Sequence, residues 1–291
     1  VPLDLTTVAL TLLALIAFAF NSLLTRLALG AQQIDAATFS ALRLSAGALV
    51  LALWVRVQAG SWAPLRGARA PGPLALFAYA APFSFAYLRI GAAVGALVLF
   101  GVVQLTMIGY GIARAERPSA LAWLGIALAC LGLAVLTVPA ATRPDPWGLL
   151  LMTIAGIAWG VYSLLGRSKG DPLAANARNF LWSCPLALLL SAVTQAGAHA
   201  TGRGIWLAVI SGALTSGFGY AIWYRALPRL SVTQAAVAQL AVPIIAALGA
   251  ALLLDETLSA RLMLAGAAVL SGVGLVLSAR TRAQAASARS R

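Results

Sequence analysis

Seven acidic side chains are spread along the 291 residues: Asp4, Asp35, Glu116, Asp145, Asp171, Asp255 and Glu256. Proton coupling across a membrane and acid–base catalysis both need a carboxylate held away from bulk water beside the reacting group. All seven lie between long apolar runs or at their ends. A buried proton relay is therefore not expected, and either movement of a solute down its own gradient or coupling through groups other than these acids is favoured. Glu116, flanked by Arg114 and Arg117, reads as a helix cap or a surface ion pair. The single histidine, His199, falls in a loop. Cys130 and Cys184 sit inside apolar runs with no CxxC partner and read as small buried side chains. No catalytic residue, metal site or cofactor is expected.

What the apolar runs do carry is amides, hydroxyls and aromatic rings. Tyr79, Phe83 and Tyr87 are spaced by four, as are Ser216, Tyr220 and Tyr224, so each set stays near one face of a helix. Facing aromatic stripes suit a π-rich cavity for flat or apolar solutes, although such rings also pack helices or sit in the interfacial belt. Asn21 with Ser22, and Trp159 with Tyr162 and Ser163, add hydrogen-bonding groups that can hold an amino or carboxylate group or a neighbouring helix. Gln104 follows Phe100 by one turn, and Gln239 precedes Pro243 by one turn, where the proline frees backbone carbonyls. Trp182 lies one turn before Pro185. The substrate-binding set expected from the sequence is Asn21, Tyr79, Phe83, Phe100, Gln104, Trp159, Tyr162, Ser163, Trp182, Tyr220 and Gln239. Arg43 is the cation set deepest within an apolar run, eight residues from its start, whereas the others lie at run ends or in loops. It can fork onto a substrate carboxylate, but snorkelling or a pair with Asp35 is the plainer reading.

These residues need a scaffold, and composition dictates its solvent. The chain is 62% hydrophobic and 9% charged, against about 25% charged in soluble domains. Runs near the length of about 20 residues needed to span a bilayer fall at 5–29, 35–57, 72–89, 91–113, 119–139, 146–166, 174–196, 204–225, 231–254 and 260–279. They are Ala- and Leu-rich rather than alternating, so the fold class is all-α, a polytopic membrane protein with ten transmembrane helices, and a barrel is excluded. The first run is longer than a signal-peptide core and has no basic stretch before it, so it reads as a span. Gly156 and Gly160 form a small-residue packing face.

The net charge of +13 would suggest nucleic acid in a soluble protein. Its distribution argues otherwise. With a cytoplasmic N-terminus, fourteen basic residues fall inside: Arg56, Arg66, Arg69, Arg114, Arg117, Arg167, Lys169, Arg178, Arg225, Arg229, Arg280, Arg282, Arg289 and Arg291. Five fall outside: Arg26, Arg89, Arg143, Arg203 and Arg261. That bias is the signature of a cytoplasmic (inner) membrane protein with both termini in the cytoplasm. The partners expected are a small-molecule substrate and membrane lipid, with no nucleic acid; the sequence leaves the oligomeric state open and is compatible with a monomer. Residues 280–291 read as a disordered basic tail.

The sequence also repeats at a spacing of about 140 residues, more than chance matching of apolar segments supplies. The stretch from Ala17 to Arg26 aligns with that from Ala158 to Arg167, Tyr87 with Tyr224, Glu116 with Glu256, Ser119 with Ser259, and Gly132 with Gly272. Five spans per copy is an odd number, so the second copy (143–279) enters the membrane inverted with respect to the first (1–142). Inverted repeats are the architecture of secondary transporters. A Glu between the fourth and fifth spans of each copy, followed by a Gly-containing last span, resembles the drug/metabolite transporter superfamily. The stretch Ala235 to Leu277, with Pro243, Gly249, Asp255-Glu256-Thr257-Leu258, Gly266 and Ser271-Gly272-Val273-Gly274, is similar to its ten-span EamA-type branch. Val103 stands where the second copy has Pro243. Length and aromatic content are similar to the YddG-type aromatic amino-acid exporters. The resemblance implies export of amino acids or related metabolites by alternating access through a cavity between the copies. Alternatives are a multidrug or lipid-type translocator of the same fold and, less in keeping with the residues present, a membrane-embedded lipid enzyme.

Overall fold

The computed structural model describes residues 4–67, 70–90, 92–137, 145–168, 170–253 and 260–289. Among them the regular structure is helical: α1 (Leu5–Thr25), α2 (Ala36–Ala59), α3 (Pro71–Tyr87), α4 (Ala92–Ala113), α5 (Ala120–Thr137), α6 (Pro146–Leu165), α7 (Pro172–Val193), α8 (Gly202–Ile210), α9 (Gly219–Ala226), α10 (Val232–Ala238), α11 (Ala241–Leu253) and α12 (Ala260–Arg289). The helices coincide with the apolar runs to within a few residues, apart from the continuation of α12. Seven stretches among the described residues are long and apolar enough to cross a membrane: Leu5–Gly30, Ala36–Ala59, Val94–Ala113, Pro146–Leu165, Gly202–Arg229, Val232–Ala250 and Ala260–Ser278. The chain is a polytopic membrane protein. Its outer surface carries bare leucines, among them Leu105, Leu252 and Leu264 at 76%, 81% and 71% exposure, which only a lipid environment tolerates in such number.

The acids start the helices. Asp4, Asp35, Asp145 and Asp171 each occupy an N-cap and accept from backbone N–H groups of the first turn, satisfying donors that a helix leaves free. Pro146 and Pro172 follow two of these caps at the first helical position, where a missing N–H costs nothing. α8 and α9 are joined by a π-helical segment, Ser211–Phe218, and α1 ends in another, Arg26–Gly30. α10 and α11 are separated by a break at Gln239 and Leu240, upstream of Pro243. The proline lacks the N–H that would bond the Gln239 carbonyl, which instead accepts from Val242 N at 3.0 Å.

The helices pack in a recurring pattern. α2 lies along α7 and α5 along α12; α6 packs on α3 and α4, and α1 packs on α9, the Ser211–Phe218 segment and α11. Small residues set the closest approaches. A Cβ on Gly125 would stand 2.6 Å from the Gly272 carbonyl oxygen, and one on Gly272 would stand 2.5 Å from that of Gly125. Gly156 and Gly160 do form a packing face, against Val102 and Thr106 of α4. α12 continues as helix through residues 280–289, the stretch expected to be a disordered tail; its Ala, Arg and Gln content favours helix. The segments at 138–144 and 254–259, with Asp255 and Glu256, lie outside the described residues.

Candidate functional site

Both parts of the chain contribute to one small internal cavity. Phe18, Asn21 and Ser22 of α1, Tyr79 and Phe83 of α3, and Leu99 and Phe100 of α4 form one side; Trp159 of α6, Tyr220 of α9 and Val242 of α11 form the other. The space is about 20 Å³, enough for roughly one water molecule. The rings interlock. Trp159 stands 4.7 Å from Tyr220, 4.8 Å from Tyr79 and 5.2 Å, edge-on, from Phe18, in the offset and edge-to-face range that aromatic quadrupoles prefer.

Six of the residues expected from the sequence line this space: Asn21, Tyr79, Phe83, Phe100, Trp159 and Tyr220. Gln104 and Gln239 stand behind it and do a specific job at the α10–α11 break. Gln104 Nε2 donates to the Ala236 carbonyl at 2.7 Å, and Gln239 Nε2 to the Ala235 carbonyl at 3.0 Å. The side-chain amides thus satisfy carbonyls that the break leaves short of helical partners. Gln239 Oε1 accepts from Trp159 Nε1 at 2.6 Å, tying the break to the cavity wall, while Gln104 Oε1 is buried without a partner. Tyr162 and Ser163 lie deeper in the packing. The Tyr162 hydroxyl donates to Asn176 Oδ1, and Ser163 Oγ accepts from Trp223 Nε1 at 3.2 Å. Trp182 does not join the site. Its side chain is 53% exposed on the outer face of α7, because a helix apolar on all sides gives the sequence no direction for its core.

Phe18, Leu99 and Val242 were not anticipated. Phe18 had a signal: it precedes Asn21 and Ser22 by three and four residues and shares their helix face. Asn21 Oδ1 accepts from three hydroxyls of the π-helical segment, Ser211 at 2.7 Å, Thr215 at 3.2 Å and Ser216 at 3.3 Å. The extra residue per turn brings this hydroxyl-rich strip against α1, and π-segments are frequent at functional sites.

Arg43 departs most from the plainer reading. It is 1% exposed and does not snorkel. Nor does it meet Asp35, whose carboxylate accepts from the N–H groups of Ala37, Thr38 and His199. Partial burial alone would raise the Asp35 carboxyl; the N–H groups of Thr38, His199 and Ala37 outweigh it and hold the acid below the ordinary carboxylate range.

Residues 146–278 match the EamA-like transporter family. An uncharacterized protein of Pseudomonas aeruginosa is 49% identical over 277 residues, covering 95% of this chain and 96% of its own length. An uncharacterized transporter of Archaeoglobus fulgidus is 28% identical over 54% of this chain and 57% of its own, and one of Bacillus subtilis is 25% identical over 44% and 45%. The chain belongs to the EamA-like transporter family. The crystal structure of another protein, 20% identical, shares the fold with a TM-score of 0.81 over 94% of this chain and 98% of that one. An EamA-like protein is a membrane transporter rather than an enzyme, and a small-molecule substrate follows from the family.

In this EamA-like chain Glu116 is a cap, as expected, but of a distant helix. Its Oε1 accepts from Val232 N at 2.8 Å, and its Oε2 from Thr233 N at 3.1 Å and Thr233 Oγ1 at 3.0 Å. The loop after α4 is thereby fastened to the start of α10, beside the Ser231–Gln234 capping box. Hydrogen bonds to a charged acceptor contribute about 1.5–3 kcal/mol each when partly buried. Glu116→Ala is expected to lower the thermal unfolding midpoint in detergent by several degrees, with Glu116→Gln intermediate. Midpoints equal to the wild type for both variants would deny the cap any weight.

Proposed function

We propose that this EamA-like protein exports small organic solutes, amino acids with aromatic or apolar side chains or related metabolites, by alternating access through the central cavity. The observation that carries this reading is the cavity itself. It lies between residues 1–142 and 143–279, and its walls are rings with amide and hydroxyl groups set among them. On this reading the chain crosses the membrane ten times as two inverted five-helix repeats, with both termini in the cytoplasm. The packing pattern supports it. Second and seventh spans pair as α2 with α7, fifth and tenth as α5 with α12, and the partners of α6 (α3 and α4) mirror those of α1 (α8–α9 and α11). A pseudo-twofold axis in the membrane plane generates such a set. The space of about 20 Å³ is far smaller than a bound amino acid. The structure therefore corresponds on this reading to a closed form, and the α10–α11 break and the π-helical segment are the places where helices can bend apart.

Proteoliposomes preloaded with unlabelled L-phenylalanine are expected to take up labelled L-phenylalanine in a saturable counterflow. Dissipating a proton gradient is expected to leave the rate unchanged, since no acid among the described residues lies within the cavity walls. Absence of flux with every apolar or aromatic amino acid would remove the amino-acid reading, and strict proton dependence would remove the uncoupled one.

A further inference from the structure

We infer that Arg43 is the anion-recognition residue of the central cavity, and that the solute is recognised through a carboxylate on an apolar or aromatic body. This rests on the transport reading above and narrows it: the carboxylate, not the ammonium, of an amino acid is the group the protein selects.

Arg43 is the one charged side chain fully buried among the described residues. It stands seven residues into α2, about 10 Å from the start of that helix. Nε donates to Ser216 Oγ at 2.8 Å and one terminal nitrogen donates to the Tyr220 hydroxyl. The guanidinium lies 5.5 Å and 5.9 Å from the ring centroids of Tyr79 and Phe83. Its other terminal nitrogen is buried with no hydrogen-bond partner. Three of the residues that hold it, Tyr79, Phe83 and Tyr220, are cavity wall, and Ser216 links it to a fourth, Asn21. The cation is therefore immediately behind the wall, with a donor to spare.

No acid among the described residues neutralises it. Asp4, Asp35, Asp145 and Asp171 cap helices, Asp4 and Asp145 also meet Arg229 and Arg89, and Glu116 is spent on α10. Removing a cation from water without a counter-charge is costly. The aromatic faces and hydroxyls offset part of that cost. An anion entering the cavity offsets more of it, and a guanidinium with a free nitrogen is built to take a carboxylate oxygen. A solute ammonium finds no carboxylate there among the described residues. The recognised class is thus an apolar organic carboxylate, for which the amino group is dispensable.

The test uses the full chain and four probes of one shape: 3-phenylpropionate, L-phenylalanine, 3-phenylpropylamine and 3-phenylpropanol. In L-phenylalanine counterflow, 3-phenylpropionate is expected to compete at least as well as unlabelled L-phenylalanine, and the amine and alcohol at least tenfold more weakly. The same order is expected in the rise of the thermal unfolding midpoint of the purified protein, which needs no flux. Arg43→Gln is expected to erase the preference for acid over alcohol and Arg43→Lys to keep part of it. A purely structural arginine would alter yield and leave the preference intact. Amine or alcohol equal to the acid in the wild type overturns the inference, as does a retained preference in Arg43→Gln. If L-phenylalanine moves and the acid neither competes nor stabilises, the anion site falls and transport stands. If nothing moves while the acid alone raises the midpoint, transport falls and the anion site stands.

Discussion

Replacing Gly212 with alanine is expected to remove most of the folded protein. A Cβ there would stand 2.1 Å from the Arg43 carbonyl oxygen and 2.8 Å from the Arg43 Cα and carbonyl carbon. The obstacle is backbone, not the tip of a side chain that can swing aside. Relief requires α2 to part from the π-helical segment, which would pull Arg43 from Ser216 and the segment's hydroxyls from Asn21. Overpacking of a rigid seam costs about 1–3 kcal/mol or more, a large share of the marginal stability of a folded chain. Gly101→Ala is the matched control. It has open space around it and gains about 1 kcal/mol of helix propensity. Monodisperse recovery in size-exclusion chromatography and the thermal midpoint should fall sharply for Gly212→Ala and hold or rise for Gly101→Ala. Equal behaviour of the two variants would show that the seam is looser than the structure has it.

The second large effect is expected at Gln239, in transport. Its amide closes three contacts: Oε1 takes the Trp159 indole N–H at 2.6 Å, and Nε2 donates to the Ala235 carbonyl at 3.0 Å and to Met107 Sδ at 3.4 Å. Alanine would leave the indole N–H and a helix-break carbonyl buried without partners, each costing about 1–3 kcal/mol. Trp159 touches Phe18, Tyr79 and Tyr220, so a ring freed from its anchor disorders the wall it completes. Gln239→Ala is expected to reduce L-phenylalanine counterflow at least tenfold per folded molecule. Gln239→Glu keeps an acceptor for the indole, and is expected to retain more flux. Rates for Gln239→Ala within twofold of the wild type would reduce the residue to packing.

Much of the helical layout was legible because lipid imposes it. Span length follows from bilayer thickness, and Asp35, Asp145 and Asp171 stand out at the ends of the apolar runs, although their capping of the following helices emerges only from the structure. The aromatic cavity wall was partly legible, since a spacing of four keeps Tyr79 with Phe83 on one face. The direction in which a helix face points was not legible. Trp182 sits on a helix whose sides are alike in polarity, so periodicity carries no direction. The acid nearest to Arg43 in sequence is Asp35, whereas its partners are 173 and 177 residues away. Nothing local forecasts that the hydroxyls of a π-helical turn stand opposite a guanidinium. The glutamines were noticed because amides are rare in lipid, yet their work, completing a broken helix, needed the carbonyls of other residues to be placed.

The glycine contact between α5 and α12 bears on how force is carried. Gly125 and Gly272 are each pressed to the other's backbone, and the neighbouring Val269, Val276 and Ala129 side chains fit closely around the crossing, leaving no loose layer to act as a bearing. Rotating or sliding one against the other would drive a carbonyl into a main chain. The pair therefore behaves as a single strut joining the last helices of the two parts of the chain. On the transport reading proposed above, work done by a solute on the cavity would be delivered to joints with compliance, the broken rod at residues 239 and 240 and the overwide turn at Ser211–Phe218, while the strut would set the distance about which they hinge.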